Sequence, residues 1–200
     1  MMKQPLFKIR CSAIGDIMTN SRKKGELSKT AQSYCETWLK ERIYGTRKQI
    51  YSKYLDKGIQ LEMSAIAFVE NYYHYDFLVK NEKHFESDYL TGTPDIITPK
   101  EIRDTKCSWD CFTFPLFEQE VDKGYWWQMQ GYMALTGRNV AYVDYVLLDT
   151  PEELDQYAPS YDNVKDKYKI KSFKVERDND AILSIYERVK ECREYINTLI

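Results

Sequence analysis

Apolar positions at 31, 34, 35, 38, 39 and 43 fall on one helical face (Ala31, Tyr34, Cys35, Trp38, Leu39 and Ile43), and the spacing predicts an amphipathic helix over 28–44. A second helix is expected over 57–73, densely apolar but carrying Glu62. The period then changes. Over 76–106, β-branched and aromatic residues are broken by turn signals at Lys80-Asn81 and Thr91-Gly92-Thr93-Pro94, which predicts three or four short strands, the last over 101–107. Residues 108–123 read as irregular and aromatic, a helix over 125–135 ends at Thr136-Gly137, and 139–148 is a strongly apolar strand. After a polar loop, 168–175 alternates as a further strand. From about 179 a last helix aligns Ile182, Ile185, Val189, Cys192, Ile196 and Leu199, a seam that serves either internal packing or a contact between subunits. Helices and strands interleaved in this order predict a mixed α/β fold.

At 200 residues with 43% hydrophobic and 30% charged positions, the chain can bury a real core, which excludes disordered and fibrous classes. No repeat, low-complexity tract or Pro/Gly/Ser-rich linker divides it, so one domain is expected: a basic helical part over 1–57, a core over 58–150, and a strand and helix over 151–200. The formal charge of -2 hides an asymmetry: residues 1–60 hold 13 Lys and Arg against 5 Asp and Glu, the rest 16 against 26. No apolar run reaches the ~18 residues of a membrane span, and Lys8, Arg10 and Asp16 interrupt the N-terminus where a secretory segment would need apolar residues. Five scattered cysteines do not form a disulfide framework, and a reducing cytoplasm is expected.

Four features carry candidate chemistry. Glu62 shares a helical face with Ile59, Ala65, Ile66, Val69 and Tyr73; a carboxylate there needs a cation or hydrogen bonds, unless it is a boundary glutamate. In Gly92-Thr93-Pro94-Asp95, a tight turn delivers an aspartate to the start of an apolar strand, as a functional group or as a turn cap. Asp104 and Lys106 in Asp104-Thr105-Lys106 project from one face of a strand. That pairing suits a carboxylate holding a divalent ion beside an ammonium that orients water, and equally a surface ion pair. Gln128 and Tyr132 sit one helical turn apart, beside core positions Trp126, Met129 and Met133.

Taken in order, a helical Glu, a turn Asp, a strand Asp-x-Lys and a helical Gln-x-x-x-Tyr resemble the PD-(D/E)XK nuclease superfamily, in its lambda-exonuclease (YqaJ-type, RecB-like) branch; the matching motifs cover roughly 58–150. The resemblance implies a restriction-endonuclease-like core, a central mixed β-sheet flanked by helices. It implies that Asp95, Asp104 and the Thr105 carbonyl ligate Mg²⁺ or Mn²⁺, hard cations that suit oxygen ligands. Glu62 would bind through water or hold a second ion. Lys106 would activate the attacking water, and Gln128 and Tyr132 would orient the DNA strand or support Lys106. The implied activity is a metal-dependent exonuclease on linear double-stranded DNA in phage-type recombination, inside a bacterial or phage-infected cell. Implied partners are DNA, further copies of the chain in a trimeric ring, and a single-strand annealing protein. The alternatives are a RecB-like nuclease on single-stranded or branched DNA, in repair or CRISPR adaptation, and a DNA-binding subunit that does not cleave.

Carboxylates repel a phosphate backbone until metal arrives, so affinity must come from basic residues elsewhere. The basic front offers Arg10, Arg22, Lys23, Lys24, Lys29, Arg42, Arg47 and Lys48, as phosphate contacts or as solvated helix faces. Trp109, Phe112, Phe114 and Phe117 are candidates for stacking on bases, or for core filling. Only Cys192 follows the Gln-x-x-x-Tyr motif, so an iron–sulphur cluster of the kind some RecB-like nucleases carry is not expected, and His74 and His84 have no zinc spacing.

Overall fold

The computed structural model describes residues 6–23 and 25–200. Strand β1 (Ile9–Arg10) leads through a 3₁₀ turn into the short helix α1 (Ile14–Ile17). Helices α2 (Lys29–Ile43) and α3 (Lys53–Tyr73) follow, then strands β2 (Phe85–Glu86), β3 (Leu90–Gly92), β4 (Ile96–Ile97) and β5 (Ile102–Cys107). Helix α4 (Lys123–Thr136), strands β6 (Val140–Val146) and β7 (Ile170–Glu176), and helix α5 (Asn179–Asn197) complete the order. Helices α2, α4 and α5 start where side chains cap them: Ser28 accepts from the Ala31 amide, Asp122 from Gly124 and Tyr125, and Asp178 from Ala181. Helix α4 stops at Gly137, whose left-handed φ of 72° few other residues adopt cheaply.

The mixed α/β class holds, with its strands divided between two sheets, β1-β3-β2 and β4-β5-β6-β7. The break falls at Thr93-Pro94, where proline has no N–H to continue a ladder. In the larger sheet β5 runs parallel to β6, and β4 and β7 run antiparallel to their neighbours. The main core joins β1, α1, α2, α4 and α5, with Ile14, Ile17, Met129, Met133, Ile185 and Val189 buried at its centre. A second cluster packs Ala65, Ile66 and Val69 of α3 against Ile96, Val146 and Ile170 of the sheet.

Several patterns resolved differently from their one-dimensional reading. The β1–α1 segment, which the pattern did not separate, enters the core through Ile9, Cys11, Ile14 and Ile17. Helix α3 begins at Lys53, four residues before the expected start, and its first turn leaves Tyr54 and Leu55 exposed, off the buried face of the helix. The arc expected around Glu62 is split: Ala65, Ile66 and Val69 are buried, whereas Ile59 is 65% exposed and Tyr73 also faces solvent. The α5 seam packs internally against α2 as far as Ile196, while Leu199 lies beyond the helix and is exposed. Phe114 is buried, but Phe112 and Phe117 stand in solvent. All five cysteines are free thiols, and no helix among the described residues is long and apolar enough to cross a membrane.

Candidate active site

Side chains alternate along β5, so Asp104 and Lys106 emerge together and Arg103 emerges on the opposite face. Arg103 is fully enclosed and grips Asp144 of β6 with two bonds, Nε to Oδ2 at 2.7 Å and Nη2 to Oδ1 at 2.8 Å. Ser172 of β7 also donates to Asp144, so one buried ion pair ties β5, β6 and β7 in register. Burial raises the Asp144 carboxyl, while Arg103 and Ser172 favour its charged form. Sequence reading did not single out this pair.

On the other face Asp104 is 1% exposed. Its Oδ1 accepts from Gln128 Nε2 of α4 at 3.0 Å, and the same amide reaches the Tyr132 hydroxyl at 3.1 Å. Tyr132 donates to the Thr93 carbonyl at 3.3 Å, which fastens α4 to the turn that carries Asp95. Asp104 Oδ2 has the Lys106 ammonium beside it in an ion pair whose geometry is not that of a hydrogen bond, and otherwise this buried oxygen has no partner. The Lys106 ammonium also lies 4.8 Å from the centre of the Tyr125 ring. Burial works against the Lys106 charge, but Asp104 and Asp95 outweigh it and hold its pKa above the ordinary lysine value.

Asp95 approaches from the neighbouring strand. Strand β4 begins at Ile96, and just before it the Asp95 carboxylate extends the ladder, accepting from the Thr105 amide at 2.9 Å. The N–H and C=O of an extended residue lie on one side of its strand, so the Thr105 carbonyl faces Asp95 as well. Burial, and then the charge of Asp104, push the Asp95 carboxyl up to about 7.

Two carboxylates crowded at low dielectric, one with an oxygen that only the Lys106 ammonium meets and with a backbone carbonyl at hand, fit a hard divalent cation. Among the described residues no three His, Cys, Asp or Glu side chains group as a ready-made cage. Glu62 explains this: its carboxylate is engaged by Lys80 Nζ at 2.5 Å rather than joining Asp95 and Asp104. Nothing in the sequence marks Lys80 for this role, because it sits at a turn signal, where lysine is unremarkable. His84, which has no zinc spacing, bridges Thr91 and Thr93 with its ring at 2.6 and 3.0 Å and braces the same turn.

A cleft of about 1460 Å³ runs from Thr93 and Tyr132 along β1 and α2, and Arg10, Arg42, Arg47 and Lys48 line it. Arg10 pairs with Tyr34, and both lie near Asp16 and Glu41; these neighbours hold the Arg10 pKa above its ordinary value. Arg42 lies 5.4 Å over the Trp38 ring. Arg22, Lys23 and Lys29 are exposed and do not line the cleft, Lys23 lying beside Glu26 and Lys29 beside Gln32. Lys24 lies outside the described residues.

A strand bearing Asp-x-Lys, an Asp delivered to its edge by a turn, and a helix closing over both with Gln and Tyr together define a nuclease core of the PD-(D/E)XK class. No protein-family model matches the chain, and no curated protein matches it in sequence. Among solved structures it is similar to a phage-related exonuclease from Haemophilus somnus 129PT, with 33% identity over 98% of this chain and 96% of that one and a TM-score of 0.89. The chain belongs to this family of phage-related exonucleases, of the YqaJ and lambda-exonuclease type. The alkaline exonuclease LHK-Exo of Laribacter hongkongensis shares the fold at 21% identity and a TM-score of 0.72, over 96% of this chain and 89% of that one. Its complex with dAMP matches at 23% identity and a TM-score of 0.72, over 97% and 92%.

Proposed function

We propose that the chain is a divalent-metal-dependent deoxyribonuclease that removes nucleotides from an end of linear double-stranded DNA. The observation that carries this reading is the pairing of half-buried Asp95 with fully buried Asp104, with Lys106 beside them, in a chain 33% identical to a phage-related exonuclease. Asp95, Asp104 and the Thr105 carbonyl would hold one Mg²⁺ or Mn²⁺ ion. When bound, the metal supplies a Lewis acid at the scissile phosphate and lowers the pKa of its water. Lys106, restrained by Asp104 and by the Tyr125 ring, orients the attacking water and offsets charge building on the phosphate. Gln128 keeps Asp104 Oδ1 occupied and so turns Oδ2 toward Lys106 and the ion. Tyr132 holds the Thr93 turn, which sets the reach of Asp95.

Arg10, Arg42, Arg47 and Lys48 take the phosphates of the strand that leads to the site. The reading includes assembly of copies into a trimeric ring and delivery of the remaining strand to an annealing protein; light scattering of the purified chain tests the first. The central experiment incubates the protein and Mg²⁺ with 5′- or 3′-labelled linear duplex and with covalently closed duplex. Only the linear form is expected to be digested, with mononucleotides released from one end, and chelation is expected to stop the reaction. Cutting of closed circles would remove the exonuclease reading.

A further inference from the structure

Glu62 does not stand free at the edge of the site, and the residue that holds it is rigidly placed. Lys80 forms an antiparallel bridge with Ile96, the residue after Asp95. Next to it, the Asn81 amide donates to the Asp95 carbonyl at 2.6 Å and the Asn81 side chain to the Pro94 carbonyl at 2.9 Å. The Lys80 backbone is therefore stitched to the turn that carries Asp95, while its ammonium reaches back to Glu62 Oε2 at 2.5 Å. Lys80 contacts Glu62, Lys106 contacts Asp104, and the charges of Glu62 and Lys106 both act on Asp95, so three carboxylates share this region with two ammonium groups. One divalent cation and one phosphate charge bring this set to neutrality. A second divalent cation would leave two uncompensated positive charges in a partly buried site, or would have to displace Lys80.

We propose that Lys80 fills the place of a second divalent cation: its ammonium neutralises Glu62 beside Asp95, and each chain therefore loads one ion, between Asp95 and Asp104. The inference rests on the metal reading given under the proposed function, and its test separates the two. Mn²⁺ is titrated into the full-length protein with a short duplex whose end linkages resist hydrolysis, and free Mn²⁺ is counted by electron paramagnetic resonance. Wild type and Lys80→Arg are expected to bind one Mn²⁺ per chain, and Lys80→Met two, because Glu62 is then free to join Asp95 as a ligand. Two ions on wild type, or one on Lys80→Met, overturns the role of Lys80. Asp104→Asn is expected to lose the high-affinity ion; retention at wild-type affinity overturns the Asp95–Asp104 site itself. Lys80 is partly exposed, so its variants are expected to fold; circular dichroism checks this, and Lys80→Gln replaces Lys80→Met should that variant not fold.

Discussion

Replacing Asp95 by asparagine is expected to stabilise the metal-free protein while removing its activity. Aspartate ordinarily ionises near 3.8, but burial and the neighbouring Asp104 carry this carboxyl up to about 7. Between roughly pH 4 and pH 7 the folded chain keeps a proton that the unfolded chain has released. The contribution of Asp95 to stability therefore falls as pH rises across that window and stays low above it. At about 1.4 kcal/mol per pH unit, ionising Asp95 at pH 8 costs the folded chain roughly 4 kcal/mol. The amide removes that cost and still accepts from the Thr105 N–H, but more weakly, and it deprives Lys106 of a counter-charge. A net gain of about 2 kcal/mol is expected, or roughly 4–8 °C in Tm for a chain of this size. The assay is thermal unfolding in chelator at pH 8 and pH 5. Asp95→Asn should lead wild type at pH 8, the gap should narrow at pH 5, and added Mg²⁺ should raise the wild type alone. A variant less stable than wild type at pH 8, or a gap that does not change with pH, would refute the reasoning.

Other outcomes follow from the same geometry. Lys106→Met should retain the fold and lose DNA hydrolysis by at least a hundredfold in a single-turnover assay, as expected for removal of a group that orients the water. Lys57 is fully buried and donates to the carbonyls of Ser108, Trp109 and Leu148 at 2.8, 2.9 and 2.7 Å. Lys57→Met should therefore cost about 2–4 kcal/mol by denaturant unfolding, because three acceptors lose their donor. A Cβ on Gly92 would lie 2.8 Å from the Tyr132 ring and 3.2 Å from Cys11 Sγ. Gly92→Ala should cost about 1–3 kcal/mol and depress activity by shifting Tyr132 off Thr93. Arg47→Ala should weaken duplex binding with little regard to sequence and lower the salt slope by about 0.9, whereas Arg22→Ala should leave both unchanged.

The chemistry-bearing residues were legible because each has a local signature. Asp-x-Lys on a strand must share a face, Gln-x-x-x-Tyr on a helix must share a turn, and Gly-Thr-Pro-Asp must start a strand from a bend. The fold class was legible for a similar reason: the apolar periods of α2, α4, α5, β6 and β7 reflect each element's own burial. Basic residues carried no such mark. Arg10 and Arg42 face the cleft while Arg22, Lys23 and Lys29 do not, and nothing in their local sequence separates the two groups.

By itself the sequence determined most of the elements, the family motifs and the charge split between the front of the chain and the rest. Tertiary structure decided which charges meet. It enclosed Asp104 until one oxygen had no hydrogen-bond partner, set Asp95 against it, and paired Glu62 with Lys80. It also buried Arg103 and Asp144 as a pair that locks the strands on which the site depends. The physical reason is range. Periodicity reports how one element meets the core, over a few residues. The energy of a carboxylate depends on desolvation and on charges brought within a few ångströms from positions far away in the chain.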